Sequence, residues 1–228
     1  MGDNAMMGNE VTKSGVAILS LVLMLGACGS SGGGDGELVP LTSDELDEIN
    51  EDMDRFAVRG ETTPYPEIPT SGVVQYEGAS FMRWELDGFE TASIRGAVEI
   101  SADFDNNHIS GQINRIVDNN EDEFRPYQGV LEIEGLQVGD AASYEIGTGV
   151  QIGIDPGPLN VVGGTVTGVL TDVDGIVSEV DATVDADFRG ANAEYLLGIM
   201  DGTVVTDGIE RDILVGQFMV QNDTSILP

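Results

Sequence analysis

Few residue types in this chain can do chemistry, and the scarcity narrows the possibilities. Cys28 is the only cysteine and His108 the only histidine among 228 residues. One thiol allows no intramolecular disulfide and no cysteine-based zinc site. One imidazole allows no HExxH zinc motif and few multi-histidine sites. His108 would need a partnered nucleophile to be catalytic, and no glycine loop ending in lysine cradles a phosphate. Carboxylates are so many that no pair stands out for acid–base work. These observations give no catalytic residue, no metal site and no cofactor, and the expectation is a chain that is not an enzyme.

Cys28 itself has a context. Val16 to Leu25 is a run of ten residues of which nine are apolar, followed by Gly26, Ala27, Cys28 and then Gly29-Ser30-Ser31-Gly32-Gly33-Gly34. A helix spanning a bilayer needs about 20 apolar residues, so the run has the length of an export-signal core. Lys13 is its cationic flank, opposed by Asp3 and Glu10, and either Met1 or Met7 can serve as the start. The Leu25-Gly26-Ala27-Cys28 tetrad resembles a bacterial lipobox: a branched apolar residue, two small residues, and a cysteine whose thiol takes a diacylglycerol. The other reading is an ordinary secretory signal with an incidental cysteine. The lipobox is preferred because the single cysteine occupies the one place that needs it. Acyl chains on Cys28 would anchor the chain firmly. Gly29 rather than Asp after the cysteine points, by analogy with bacterial sorting, to the outer membrane.

Charge sets the partners. There are 41 acidic residues against 9 Lys plus Arg, a net charge of -32. Such a surface repels phosphate backbones, so nucleic acid is not expected as a partner. Lys13 is the only lysine, and beyond it every cation is an arginine.

The elements that position these residues divide the chain into residues 1–27, an export signal; 28–70, a lipid-anchored tether; and 71–228, a β domain. In the tether, Ser30 to Gly36 is a flexible leash. Thr42 and Glu45 have capping-box spacing, and Leu46, Ile49, Met53 and Phe56 make one apolar stripe of a helix near 44–58. That helix either docks on the β domain or forms a spacer; under two heptads it is too short for a coiled coil. Pro64, Pro66 and Pro69 mark 62–69 as an extended linker.

Beyond Ser71 the period becomes two. Ala92, Ile94, Gly96, Val98, Ile100, Ala102 and Phe104 form one face, and Arg95, Glu99, Ser101 and Asp103 belong to the other. In 176–189, Ile176, Ser178, Val180, Ala182, Val184, Ala186 and Phe188 oppose Glu179, Asp181, Thr183, Asp185 and Asp187. One apolar and one polar face is the pattern of antiparallel sheet, and strands this long suit a closed barrel. Further strands are expected at 72–82, 108–117, 127–136, 143–152, 161–171, 196–205 and 212–221. That makes nine candidates for an eight-stranded antiparallel up-and-down β-barrel, with 143–152 the irregular one. Turns fall at Asp105-Asn106-Asn107, Asp118-Asn119-Asn120, Asp174-Gly175 and Asp207-Gly208. Gly96, Gly168, Gly198 and Gly216 are expected to supply bends. A membrane-spanning barrel would alternate too, but it would carry aromatic girdles that five Tyr and one Trp cannot build.

Smaller constellations are weighed against this frame. Asp103, Asp105 and Asn107 have the spacing of the first calcium-loop ligands, but His108 stands where the loop needs Gly and Asn114 where it needs Glu, so a hairpin explains them better. Asp172 and Asp174 before Gly175 are weaker still. Asp118 with Glu121-Asp122-Glu123 reads as a solvated loop open to a basic partner. Tyr76 and Trp84 read as partly buried anchors of the first hairpin, and Gly147-Thr148-Gly149 and Gly163-Gly164 as strand kinks.

Two motifs carry a resemblance. Gly96 to Phe104, running through Asp105-Asn106-Asn107 into His108-Ile109-Ser110-Gly111, looks like a hairpin of the transferrin-binding protein B family of surface lipoproteins. Ala186-Asp187-Phe188-Arg189-Gly190-Ala191-Asn192-Ala193-Glu194-Tyr195-Leu196-Leu197-Gly198 resembles that family's C-terminal signature, and Val215-Gly216-Gln217-Phe218 its closing strand. The resemblance covers roughly 71–221. It implies an eight-stranded barrel, lipid-anchored on the outer membrane and exposed at the cell surface, that binds a protein or a small iron-source or solute ligand. The chain has one barrel where the transferrin receptor has two lobes, so transferrin itself is not the expected ligand, and no family contact residue maps onto this sequence. The alternative is an acidic structural or protective envelope lipoprotein without a specific ligand.

The charge makes a direct prediction. Screening relieves self-repulsion, so the melting temperature should rise between 50 mM and 1 M sodium chloride by calorimetry. A flat or falling trend would contradict it.

Overall fold

Residues 41, 42, 44, 45, 47, 62–85, 91–118, 125–139 and 160–222 are described by a computed structural model. The export segment, Cys28, the 30–36 leash, most of the 44–58 helix, Glu121 to Glu123 and the 143–152 candidate lie outside the described residues.

Alternation of apolar and polar side chains builds nine strands among the described residues. They are β1 (Val73–Glu85), β2 (Thr91–Asp103), β3 (His108–Asp118), β4 (Arg125–Pro126), β5 (Leu131–Val138), β6 (Val161–Thr171), β7 (Val177–Arg189), β8 (Tyr195–Thr206) and β9 (Ile209–Asn222). Every pairing is antiparallel. The order runs β2-β1-β9-β8-β7-β6-β5-β3, and β2 also pairs with β3. Eight strands therefore close into a barrel, and two-residue β4 sits beside the end of β3. Closure leaves no row of unpaired backbone groups to recruit another chain.

Turn chemistry sets the register. Thr206 pairs with Ile209 across Asp207-Gly208, both at positive φ (52° and 73°), the backbone of a type I′ turn. In the β2–β3 turn, Asp103 accepts hydrogen bonds from Asn106 N (3.1 Å) and Nδ2 (2.7 Å), and Asn107 takes φ 50°. Asp172 Oδ1 accepts from the backbone of Asp174 (2.9 Å) and Ile176 (2.8 Å) between β6 and β7.

The barrel interior is filled. Tyr76, Met82 and Trp84 point inward from β1, Ile94, Val98 and Ile100 from β2, Ile133 from β5, Phe188 from β7 and Phe218 from β9, and each is 0–3% exposed. Tyr76 and Trp84 are thus wholly buried rather than half-buried hairpin anchors, because the closed wall encloses one whole face of β1. Phe188 lies against both Tyr76 and Phe104, with ring centroids 6.0 and 5.7 Å away. Gly96 falls at the β2–β3 register shift, and interior glycines also give space to larger neighbours. A Cβ at Gly96 would meet Ile113 Cγ2 at 2.7 Å, and one at Gly198 would fall on the Phe218 ring.

β3 departs from strict alternation. Arg115 has φ 53° and the β2–β3 register shifts between Arg95 and Ala97. The bulge lets Ile113 and Ile116, three residues apart, both reach the interior. It also leaves Val117 buried in a second small cluster with Leu41 and Ala97. Arg115 Nη2 then donates to both oxygens of Glu45 (2.7 and 2.8 Å). Asp44, Glu45 and Asp47 are helical, and the capping box forms: Glu45 accepts from Thr42 N (2.8 Å), and Glu45 N donates to Thr42 Oγ1 (3.4 Å). The Thr42 amide and Arg115 together lower the Glu45 carboxyl to about 2.

Packing at Gly198 predicts that Gly198→Ala costs about 1–3 kcal/mol of stability, read from urea unfolding midpoints. Combined with Phe218→Leu, the loss should be smaller than the two single losses added. Strict additivity would show that the two positions do not share space.

Candidate functional site

The residues singled out for chemistry do not converge. Asp103 faces its own turn, and its two bonds from Asn106 hold its carboxyl below the usual range. Asp105 Oδ2 accepts from Gly72 N at 3.1 Å. Asn107 binds the Val138 backbone in both directions, its Oδ1 accepting at 2.7 Å and its Nδ2 donating at 3.2 Å. His108 is exposed at the start of β3. Asn114 Nδ2 donates to Glu99 at 3.4 Å, well away from the turn. The calcium-like spacing is therefore consumed by hairpin closure. Asp172 is likewise spent on its own turn, and Asp174 takes Arg125 at 3.2 Å. No group of three or more His, Cys, Asp or Glu is arranged to hold a metal among the described residues.

The filled interior moves attention to the outer wall. A shallow groove of about 330 Å³ crosses β2, β3 and β5, lined by Glu99, Ser101, Ser110, Gln112, Glu132 and Glu134 among others. Gln112 Nε2 donates to Glu99 Oε2 at 3.1 Å, so an amide separates the carboxylates. A neighbouring recess contains His108, Gly135, Gly163 and Thr165. Gly135 and Gly163 have φ of 76° and 81°, and the ladder is irregular there, which is the kink expected at Gly163-Gly164. Both recesses are polar and open, with no aromatic platform.

The most organised polar cluster lies where 62–68 crosses the end of β7. Thr62 bridges to Arg189, Thr63 N donates to Phe188 O (2.7 Å), and Thr63 Oγ1 donates to Gly190 O (2.8 Å). Asn160 ties both sides: its Nδ2 donates to Thr63 O (3.0 Å) and its Oδ1 accepts from Phe188 N (2.7 Å). Ile68 enters the barrel core at this end, and Tyr76 Oη donates to Ala193 O at 2.8 Å. Asp187, expected on the wet face, is 0% exposed because this strap covers it. Its Oδ2 accepts from Thr62 Oγ1 (2.8 Å) and Arg189 Nε (3.0 Å), while Oδ1 is buried without a hydrogen bond. Burial raises its carboxyl to about 6, against the opposing pull of Thr62 and Arg189. The sequence hid this carboxylate, since period two places it outward and only a contact 125 residues away in sequence buries it.

A scan against models of known families gives no match. A search of curated proteins gives none either. Among solved structures, the chain has a weak likeness to the crystal structure of isotype 1 transferrin binding protein B from serogroup B Neisseria meningitidis. Sequence identity is 14%, the TM-score is 0.35, and the match covers 72% of this chain and 27% of that one. The matched part is thus about a quarter of that protein's chain.

Asp187 gives a pH prediction with a definite sign. A carboxyl raised from 3.8 to about 6 on folding contributes stability that is fully present below 3.8 and is lost as pH rises through 6. Measured against Asp187→Asn, which keeps an acceptor for Thr62, the native chain should lose up to about 3 kcal/mol of relative stability between pH 3.5 and 7.5. Urea midpoints at several pH values read this difference. A native chain that gained on Asp187→Asn with rising pH would mean the Arg189 pair outweighs burial.

Proposed function

We propose that this chain is a lipoprotein anchored in the outer membrane through acyl chains on Cys28, exposed at the cell surface, and that its barrel is a non-catalytic binding module whose ligand is a protein. The observation that carries the binding half is the filled interior. Side chains 0–3% exposed occupy the lumen, and interior glycines lack room for a single methyl group. Eight strands enclose a space just wide enough either to be filled by side chains or to hold one small ligand, and this chain uses that space for side chains. Among the described residues, a small iron source or solute is left with the open outer recesses, which are not enclosed apolar pockets of the kind such ligands occupy. A protein ligand needs only a surface. The anchoring half is supported by Leu25-Gly26-Ala27-Cys28 following the ten-residue apolar run.

Two measurements on intact cells test this. Labelled palmitate should enter the native chain and not Cys28→Ala. Added protease should remove the 71–228 domain from intact cells. Label retained by Cys28→Ala would overturn the anchor. Survival of the domain until the outer membrane is permeabilised would move it to the periplasm.

A further inference from the structure

The barrel's two ends differ in one respect that packing does not explain. Eight large apolar side chains are exposed among the described residues, and six of them, Val169, Val173, Ile176, Val177, Ile209 and Leu214, lie toward the end formed by the 172–176 and 207–208 turns. They are 38–55% exposed. Scattered single apolar residues are ordinary on a surface; concentration at one place marks an interaction site.

Register places Val169, Val177 and Ile209 in neighbouring hairpins, the first two on the outer wall and Ile209 opposite Thr206 at the mouth. Val177 pairs with Thr171, which sets Val169 diagonally beside it on the outer wall. Thr206 pairs with Ser178 on one side and Ile209 on the other, so the two turns stand side by side. The platform is rigid. Asp172 pins its turn through two backbone bonds, and Arg211 Nη1 donates to the carbonyls of Thr206 (3.3 Å) and Ile209 (3.2 Å). A surface already ordered loses little entropy when a partner docks.

Charge identifies the occupant. Asp172, Asp174, Glu179, Asp207, Glu210 and Asp212 belong to the same two hairpins, against Arg211 and the Arg125 that meets Asp174. An anionic surface would be repelled, and so would a second copy carrying the same rim. We propose that this turn end is the docking face, and that it takes a protein segment in which apolar side chains are flanked by Lys or Arg. This rests on the reading of the barrel as a binding module and adds where it binds and what it recognises.

The test uses the full chain carrying Cys28→Ser, labelled with ¹⁵N, and three synthetic peptides of equal length. One combines Leu and Val with Arg; one replaces its apolar residues by Ser at the same charge; one replaces Arg by Glu. The first should bind at least tenfold more tightly than either other, with amide shifts centred on 169–179 and 203–214. Val173→Ser with Ile209→Ser, both in exposed positions, should abolish the tenfold advantage while the spectrum stays dispersed. Equal affinity for the Leu/Arg and Ser/Arg peptides would overturn the proposal. Shifts centred on Glu99 and Glu132 would overturn the docking face and leave a binding barrel standing. Flotation with phosphatidylcholine vesicles that is lost in the double variant would assign the patch to lipid and overturn the protein partner. Surface exposure and acylation are read in cells and do not depend on any of these outcomes.

Discussion

The structure depends on filling a closed barrel of eight strands with side chains. A wall of this size encloses a fixed space, and close packing tolerates neither voids nor overlaps. The chain meets the constraint by setting small residues against large ones. Gly198 yields its space to Phe218, Gly96 to Ile113 and Ile116, and Gly164 to Leu136 and Val184. The rings of Tyr76, Phe104 and Phe188 then close the end opposite the 172–176 turn. With only 6% aromatic residues, each ring occupies a place that no neighbour duplicates. Side chains occupy the described interior, which is why binding is proposed for the outside.

The segment before the barrel is fastened to that outside at two places. At one, the bulge at Arg115 turns a guanidinium onto Glu45 while Leu41 covers Val117. At the other, Thr62 and Thr63 lie along the end of β7 and Ile68 joins the core. The second fastening buries a carboxylate with one oxygen lacking a hydrogen bond, an arrangement that costs stability at neutral pH. Asn160 offsets part of that cost by joining the strap and β7 through their backbones.

Much of the barrel was legible because its rules are local. Period two identified β2 and β7, and the limits expected for 161–171 are those of β6. Asp-Gly and Asp-Asn-Asn identified turns because few residues tolerate positive φ. What stayed hidden depends on contacts distant in sequence. Pro64, Pro66 and Pro69 read as linker, and nothing local reveals that Ile68 enters a core or that Thr62 covers Asp187. Tyr76 and Trp84 looked half-exposed because alternation says which face a residue occupies, not how completely the opposite wall encloses it. Ile113 and Ile116 carried at most a hint, since two residues three apart in a strand reach one interior only through a bulge. The exposed apolar residues at the turn end were invisible for a different reason: Val173 and Ile209 fell outside the expected strands and Ile176 counted with the apolar face of 176–189, until the fold sets their hairpins side by side.

Binding at the outside is proposed because side chains fill the described interior. Crystals pressurised with xenon test it most directly, because xenon enters apolar voids too small for most ligands. The account predicts no xenon within the barrel among Tyr76, Phe188, Met200 and Phe218. An occupied xenon site among those side chains would show an internal cavity, and would return the search for a ligand to the lumen.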